Sequence, residues 1–92
     1  MVSIGIASYT KEQWQLLKKY AADKSELDPT YKQWGRTRDR AIAAVRSAGH
    51  EPVLVPIDVA ELEAWCHTKN KTNTGSSRAE FCSQKLRERD GQ

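Results

Sequence analysis

The two cysteines and two histidines are the residues of this 92-residue sequence best suited to nucleophilic or metal chemistry. Cys66 and His67 are adjacent, so on a helix their side chains point about 100° apart, a poor geometry for a thiol–imidazole pair. Zinc needs further ligands, and the spacings to Cys82 and His50 match no standard zinc module. The sequence also lacks the GxSxG, GxGxxG, P-loop and HExxH motifs. We therefore predict no catalytic residues, no metal site and no cofactor.

The cysteines also indicate a cellular compartment. Cys66 and Cys82 are sixteen positions apart, and the opening segment MVSIGIASYT lacks a signal-peptide pattern. Each cysteine falls on the apolar side of a predicted helix, where a free thiol packs as a small hydrophobic group. We expect both to be reduced, and we expect a cytoplasmic protein without a membrane span, because no apolar run approaches about 20 residues.

Length and composition place these residues in one small globular unit. Hydrophobic residues make up 38% of the chain and charged residues 29%, which excludes a disordered or low-complexity chain. Ninety-two residues are too few for two hydrophobic cores. We predict a single domain over residues 1–92 with a frayed tail at residues 88–92.

Hydrophobic periodicity defines the elements of this domain. Val2, Ile4 and Ile6 alternate with small residues, which predicts a strand. Val53, Val55 and Ile57 occupy alternate positions of a second segment, which predicts another short strand. Helix-capping patterns begin at Thr10, Asp28, Asp58 and Ser77, and each precedes residues with helical spacing. The sequence therefore predicts an α+β fold in β-α-α-β-α-α order, with two strands that we expect to be parallel.

Prolines limit how the second strand can pair. Neither Pro52 nor Pro56 can donate to a ladder, so this strand has a free edge or is very short. Two strands alone form a marginal sheet, which invites a further strand at an open edge. We therefore include a homodimer or a partner strand among the expected interactions.

Arg38 is the one charged residue within the apolar stripe of the second helix. It lies among Tyr31, Trp34, Ile42 and Val45, where an apolar side chain is expected. Its guanidinium can stack on Trp34, four residues earlier. It can instead pair with a carboxylate of residues 51–68, an acidic segment without Lys or Arg, in which Asp58 and Glu61 are the candidates. Two interpretations remain open: a buried arginine that locks the second helix to the third, or a contact for a ligand or partner.

The opposite side of the second helix carries a basic stripe. Lys32, Arg36 and Arg40 are spaced four residues apart, which places them on one outer face. Such a stripe can track phosphates, although a solvated helix face has the same pattern. These residues are candidate contacts for a partner or a nucleic acid.

A second candidate site lies where the last helix begins. Amide groups at a helix start together with nearby cations can hold a phosphate or carboxylate. The alternative is that helix capping alone accounts for the hydroxyl residues. The candidate anion contacts are Lys69, Lys71, Ser76, Ser77 and Arg78.

Phe81 lies about 100° outside the predicted apolar stripe formed by Ala79, Cys82 and Leu86. It either widens the buried face of the last helix or is an exposed aromatic anchor for a protein partner.

Three segments of the chain, GIASYTKEQW, WCHTKN and GSSRAEF, resemble a group of small stand-alone bacterial proteins of uncharacterised function. Those proteins have a similar GIASYTxEQW start and a WC…G…RAEF end. The resemblance implies a bacterial or phage cytoplasmic origin and no activity, cofactor or catalytic residue.

We therefore predict a small non-enzymatic binding module, an accessory, regulator or inhibitor that docks on a larger bacterial assembly. The alternative is a nucleic-acid-binding protein that uses the basic stripe. Phosphate binding falls steeply with salt, which distinguishes the two.

Overall fold

The computed structural model describes residues 2–90 and confirms the predicted order of elements, β-α-α-β-α-α. The predicted α+β fold in one compact unit is therefore confirmed. None of the helices described between residues 2 and 90 is long and apolar enough to cross a membrane. The strands are β1 (Ser3–Ser8) and β2 (Glu51–Pro56), and the helices are α1 (Lys11–Tyr20), α2 (Tyr31–Ser47), α3 (Val59–Thr68) and α4 (Gly75–Asp90), with a 3-10 turn at Lys24–Glu26.

Helix α4 is longer than its sequence pattern suggested at both ends. It begins at Gly75, two residues before the predicted Ser77 cap, and it continues to Asp90. Residues 88–90 are therefore helical where a frayed tail was predicted. Residues 91 and 92, the rest of that tail, lie outside the described residues.

The two strands form a parallel sheet, as predicted, with Ser3 opposite Glu51 and Ser8 opposite Pro56. Backbone bonds continue the ladder at both ends, because the N–H of Glu51 donates to Val2 at 2.9 Å and that of Ile57 donates to Ser8 at 3.0 Å. A two-stranded sheet is marginal without cover, so its stability depends on the helices that pack against it.

Helix α4 packs closely against one face of the sheet, and Gly5 makes this approach feasible. A Cβ at position 5 would lie 3.2 Å from the Sγ of Cys82 and 3.4 Å from Leu86. Phe81, Cys82 and Leu86 are all buried in the core, together with Val55 of β2. The small residue at position 5 therefore lets β1 and α4 approach each other closely.

Helix α2 covers the other face less completely. It contacts both strands but makes almost no contact with α4, which places the two helices on opposite faces. Side chains alternate along a strand, so Ile4 and Leu54 point away from α4, and they remain 37% and 43% exposed. Within α2 only Trp34 is buried, although the apolar stripe predicted a longer buried face.

Side-chain caps begin three of the helices. Thr10 and Asp58 accept from backbone N–H groups of α1 and α3, as predicted. The cap of α2 is Thr30, which accepts from the N–H of Gln33, so the prediction of an Asp28 cap was wrong. Helix α2 ends as predicted before Gly49, whose φ of 83° is a left-handed conformation that glycine adopts without strain.

Candidate functional site

A cleft of about 550 Å³ runs along the outer side of β1. Ile4, from one face of the strand, and Gly5 and Ala7, from the other, line it, whereas no residue of β2 does. The cleft therefore follows the free edge of β1, and we call it the edge cleft. Its remaining lining comes from Tyr9, Trp14, Leu17, Glu26, Leu27, Asp28, Trp34, Thr37, Gly75, Arg78, Ala79, Cys82 and Ser83.

Helices α2 and α4 form the two side walls of the edge cleft. Trp34 and Thr37 belong to α2, and Ala79, Cys82 and Ser83 belong to α4. Since these helices lie on opposite faces of the sheet, the edge of β1 lies between them. A ligand in the cleft would contact both helices and the strand at once.

Stacked aromatic rings form part of the lining of the edge cleft. The rings of Trp14 and Trp34 stack with centroids 5.5 Å apart, and Tyr9 meets Trp34 edge-on at 5.5 Å. Tyr31 stacks on the same Trp34 ring and donates its hydroxyl to the backbone carbonyl of Tyr9 at 2.7 Å. Burial is the main reason why the pKa of Tyr9 is raised to about 12.

Two acidic residues also line the edge cleft. Glu26 and Asp28 lie in the segment between α1 and α2, and neither forms an ion pair within residues 2–90. Arg78 also lines the cleft, but its charge is compensated by Asp23, with 2.8 Å between the guanidinium and the carboxylate. The uncompensated charge of the cleft is therefore negative.

Asp23 is the anion at the start of α4. Its carboxylate accepts two hydrogen bonds from Arg78, at 2.8 and 2.9 Å, and one from the N–H of Gly75 at 3.1 Å. The hydrogen bond from Arg78 is the main reason why the pKa of Asp23 is lowered. The predicted anion site at this helix start is thus filled by a carboxylate of the chain itself, which the sequence pattern did not indicate.

The other predicted anion contacts do not converge on this position. Ser77 is buried and donates to the carbonyl of Thr72 at 2.6 Å. Lys71 pairs with Glu80 at 3.1 Å, while Lys69 follows the end of α3 and Ser76 is exposed. The five residues Lys69, Lys71, Ser76, Ser77 and Arg78 therefore do not form one anion-binding site.

Arg38 stacks on Trp34 as predicted, with its guanidinium carbon 5.1 Å from the ring centroid. Its carboxylate partner is the neighbouring Asp39, at 3.2 Å, rather than a residue of the acidic segment. Asp58 caps α3 and Glu61 accepts from Lys85 at 2.7 Å, so neither is available. The prediction of a buried arginine that locks α2 to α3 was wrong, since the Arg38 side chain is 29% exposed.

Phe81 is buried in the core with only 2% of its surface exposed. Its ring lies 5.3 Å from that of Trp65 on α3. The buried stripe of α4 runs through Phe81, Cys82 and Leu86, whereas Ala79 is exposed. The interpretation of a wider core face is confirmed, and the exposed-anchor interpretation was wrong.

The basic stripe of α2 has the predicted placement. Lys32, Arg36 and Arg40 are exposed, and none of them forms an ion pair or a side-chain hydrogen bond within residues 2–90. The only acid on this helix, Asp39, is engaged by Arg38. The stripe is therefore an uncompensated positive surface on the outer side of α2.

The thiol and imidazole groups are not brought together. Both cysteines are buried free thiols, and burial is the main reason why the pKa of each is raised. His67, next to Cys66, is exposed. Residues 2–90 contain no cluster of three or more metal-ligating side chains. Cys82 lines the edge cleft, but a thiol with a raised pKa is a weak nucleophile.

A second, smaller groove lies between α1 and α3 and has a volume of about 390 Å³. Its most exposed apolar side chains are Leu16 and Tyr20, at 37% and 50%. Leu16 and Tyr20 belong to α1, whose buried residues are Trp14 and Leu17. Glu63 also lines this groove, but its carboxylate already accepts from Asn73 at 2.6 Å.

Sequence analysis missed most of the edge cleft. Glu26 and Leu27 had no predicted role, Asp28 was predicted only as a helix cap, and Thr37 and Ser83 are ordinary polar helix residues. Asp23, which binds Arg78 of the cleft, also had no predicted role. One signal was present: Arg78, in the first turn of α4, needs a carboxylate because a cation is unfavourable at a helix N-terminus.

The chain was also compared with family models, with curated proteins and with solved structures. The resemblance of GIASYTKEQW, WCHTKN and GSSRAEF to small bacterial proteins stays a prediction. None of the three comparisons finds a match to this chain.

Proposed function

We propose that this protein is a small non-enzymatic binding module that holds a segment of a partner protein in the edge cleft. In this role it acts as an accessory, regulator or inhibitor of a larger bacterial assembly. One observation carries the proposal: the cleft combines an open strand edge, stacked aromatic rings and polar rim residues. Pockets that bind ligands, and the central pockets of protein interfaces, have this composition.

The state of the reactive groups supports a binding role rather than catalysis. Among the described residues that line the edge cleft, Cys82 is the only cysteine. Burial raises the pKa of its thiol. An activated cysteine has a lowered pKa instead. A cytoplasmic location belongs to the same proposal, because two reduced thiols suit that compartment.

The proposal is tested by blocking the cleft. A photo-crosslinking amino acid at Thr37, inside the cleft, should capture one protein in the source cells, and the same group at Ser47 should not. The captured protein is then purified and its affinity measured. Ser83→Arg should weaken binding at least about tenfold, or about 1.4 kcal/mol, because the longer side chain occupies the cleft. Ser47→Arg, an equal change at an exposed position outside the cleft, is the control.

Equal affinities for Ser83→Arg, Ser47→Arg and the unchanged protein would refute binding in the edge cleft. Both variants should keep the thermal midpoint of the unchanged protein, because both positions are exposed helix residues.

The basic stripe supports a second candidate function, nucleic-acid binding. The observation that favours this function is a set of three exposed cations, Lys32, Arg36 and Arg40. None of them forms an ion pair within residues 2–90. Three phosphate contacts predict that the logarithm of the affinity for duplex DNA falls with the logarithm of salt with a slope of about −2.7. Arg36→Glu should abolish that binding. If gel retardation at low salt shows no complex, this second function is excluded.

A further inference from the structure

We infer that the partner segment binds as an extended strand added to β1, with a basic side chain at the end that lies next to Glu26 and Asp28. This inference rests on the proposed function, because it assigns a conformation and a charge to the occupant of the edge cleft. Four features of the molecule support it: the outward groups of β1, the closed edge of β2, the flanking helices and the charge of the cleft.

The outer edge of β1 presents unpaired backbone groups. Val2 and Ser8 accept from β2, so the backbone groups of the residues at even positions point towards β2. Alternation along a strand then directs those of Ser3, Gly5 and Ala7 outward. Within residues 2–90 these outward N–H and C=O groups have no hydrogen-bond partner. They present the alternating donors and acceptors that an added strand pairs with.

The outer edge of β2 offers no such row. Glu51 and Ile57 donate to β1, so the outward positions of β2 are Pro52, Leu54 and Pro56. A proline has no N–H, which leaves Leu54 as the only outward donor. Prolines at such positions are a common means of preventing strand addition. The sheet can therefore grow by one strand on the β1 side only.

The helices beside β1 favour a single segment over a second copy of this chain. The edge of β1 lies between α2 and α4, and Gly5 and Ala7 are half-buried there. In two copies approaching edge to edge, the walls of both clefts would meet before the strands. A lone extended segment has no such walls, so it can lie between Thr37 on one side and Ser83 on the other.

The charge of the cleft selects the sign of the segment. Glu26 and Asp28 are not paired within residues 2–90, whereas Arg78 is bound by Asp23. Both residues belong to the segment that leads into α2, and Tyr31, the first residue of α2, donates its hydroxyl to the carbonyl of Tyr9, just beyond the carboxyl end of β1. A lysine or arginine at that end of the segment would meet the negative charge of exposed Glu26 and half-buried Asp28, and an acidic residue would be repelled.

The test uses a random dodecapeptide library displayed on phage, panned on the full chain and counter-selected on Ser83→Arg. We expect the enriched peptides to alternate apolar and polar residues and to carry a lysine or arginine near one end. Synthetic copies should bind Ala7→Pro at least tenfold more weakly than the unchanged chain, because this proline removes an outward N–H and leaves the β1–β2 ladder intact. Leu54→Pro, which removes the outward N–H of β2, should bind with unchanged affinity.

A second measurement needs no protein variant, in case Ala7→Pro fails to fold. Methylating the backbone nitrogens at alternate positions of one peptide should abolish binding for one set of positions and spare it for the other set. Glu26→Lys combined with Asp28→Lys should reduce the affinity of basic peptides at least tenfold.

The outcomes separate the inference from the proposed function. If Ser83→Arg abolishes peptide binding while Ala7→Pro and both methylated sets leave it unchanged, the cleft binds a partner but not as a strand, and the inference is overturned. Enrichment of peptides with apolar residues three and four apart would also overturn it in favour of a helical segment. If no enriched peptide depends on the cleft, or if the chain dimerises and Ala7→Pro makes it monomeric, the inference fails as well.

Discussion

Helices α2 and α4 flank the same sheet and have nearly equal lengths, 17 and 16 residues, but they bury very different side chains. Helix α4 buries Phe81, Cys82 and Leu86 and is fastened at its start by Asp23. Helix α2 buries Trp34 alone and exposes a row of cations. The comparison teaches that one wall of the edge cleft is part of the core, whereas the other is held mainly by one aromatic cluster and leaves its surface free for binding.

Truncation of a core side chain should show this difference most strongly. Phe81→Ala removes a ring that is 2% exposed and should lower the free energy of unfolding by about 4 kcal/mol. Ile42→Ala, on the half-buried face of α2, should cost less than about 2 kcal/mol. Urea denaturation measures both, and Phe81→Leu is a control that keeps most of the volume. Equal losses at the two positions would contradict the contrast between the helices.

The two arginines of the helices give the next largest difference. Arg78→Ala leaves the carboxylate of Asp23 without its cation in a site where both side chains are less than one-fifth exposed, and it should cost about 3 kcal/mol. Arg38→Ala removes a partly exposed stack on Trp34 and should cost at most about 1 kcal/mol. If a double-mutant cycle between Asp23→Asn and Arg78→Gln gave no coupling energy, the two groups would not stabilise each other.

Acid should remove the same contribution. The pKa of Asp23 is lowered in the folded chain, whereas an unfolded aspartate titrates near pH 3.9. The carboxylate therefore stabilises the fold above that pH, and the contribution is lost as pH falls below about 4 through the lowered folded value. The difference in unfolding free energy between the unchanged chain and Asp23→Asn should shrink over that range. A difference that stays constant down to pH 2 would exclude a role for this ionisation.

Local patterns were sufficient to predict the strands, the helices and their order. Alternation identified β1 and β2, and the caps at Thr10 and Asp58 were read correctly because a cap is set by neighbouring residues. The error at Asp28 is also local: Thr30, two residues later, is bonded to Gln33 at 3.1 Å and begins α2. Two competing caps within three residues cannot be ranked from their types alone.

The candidate site depends on contacts that no local pattern contains. Asp23 and Arg78 are 55 positions apart, so only the fold brings them together. Phe81 fell outside the predicted apolar stripe because the buried face of α4 contacts both β1 and α3, which moves the centre of that face away from Ala79. The edge cleft itself is formed by residues from β1, three helices and a connecting segment.

The parallel pairing of β1 with β2 also determines when the sheet can assemble. The hydroxyl of Ser3 donates to the carboxylate of Glu51, 48 positions later in the chain. The same two residues are opposite each other in the register of the strands. More than half of the chain must therefore emerge from the ribosome before β1 can pair with β2. Helices α1 and α2 can form earlier, because their contacts are between nearby residues. In a nascent chain that ends before residue 51, the backbone N–H and C=O groups on both edges of β1 have no partner strand. Aggregation or chaperone binding is therefore most favoured in the interval before β2 emerges.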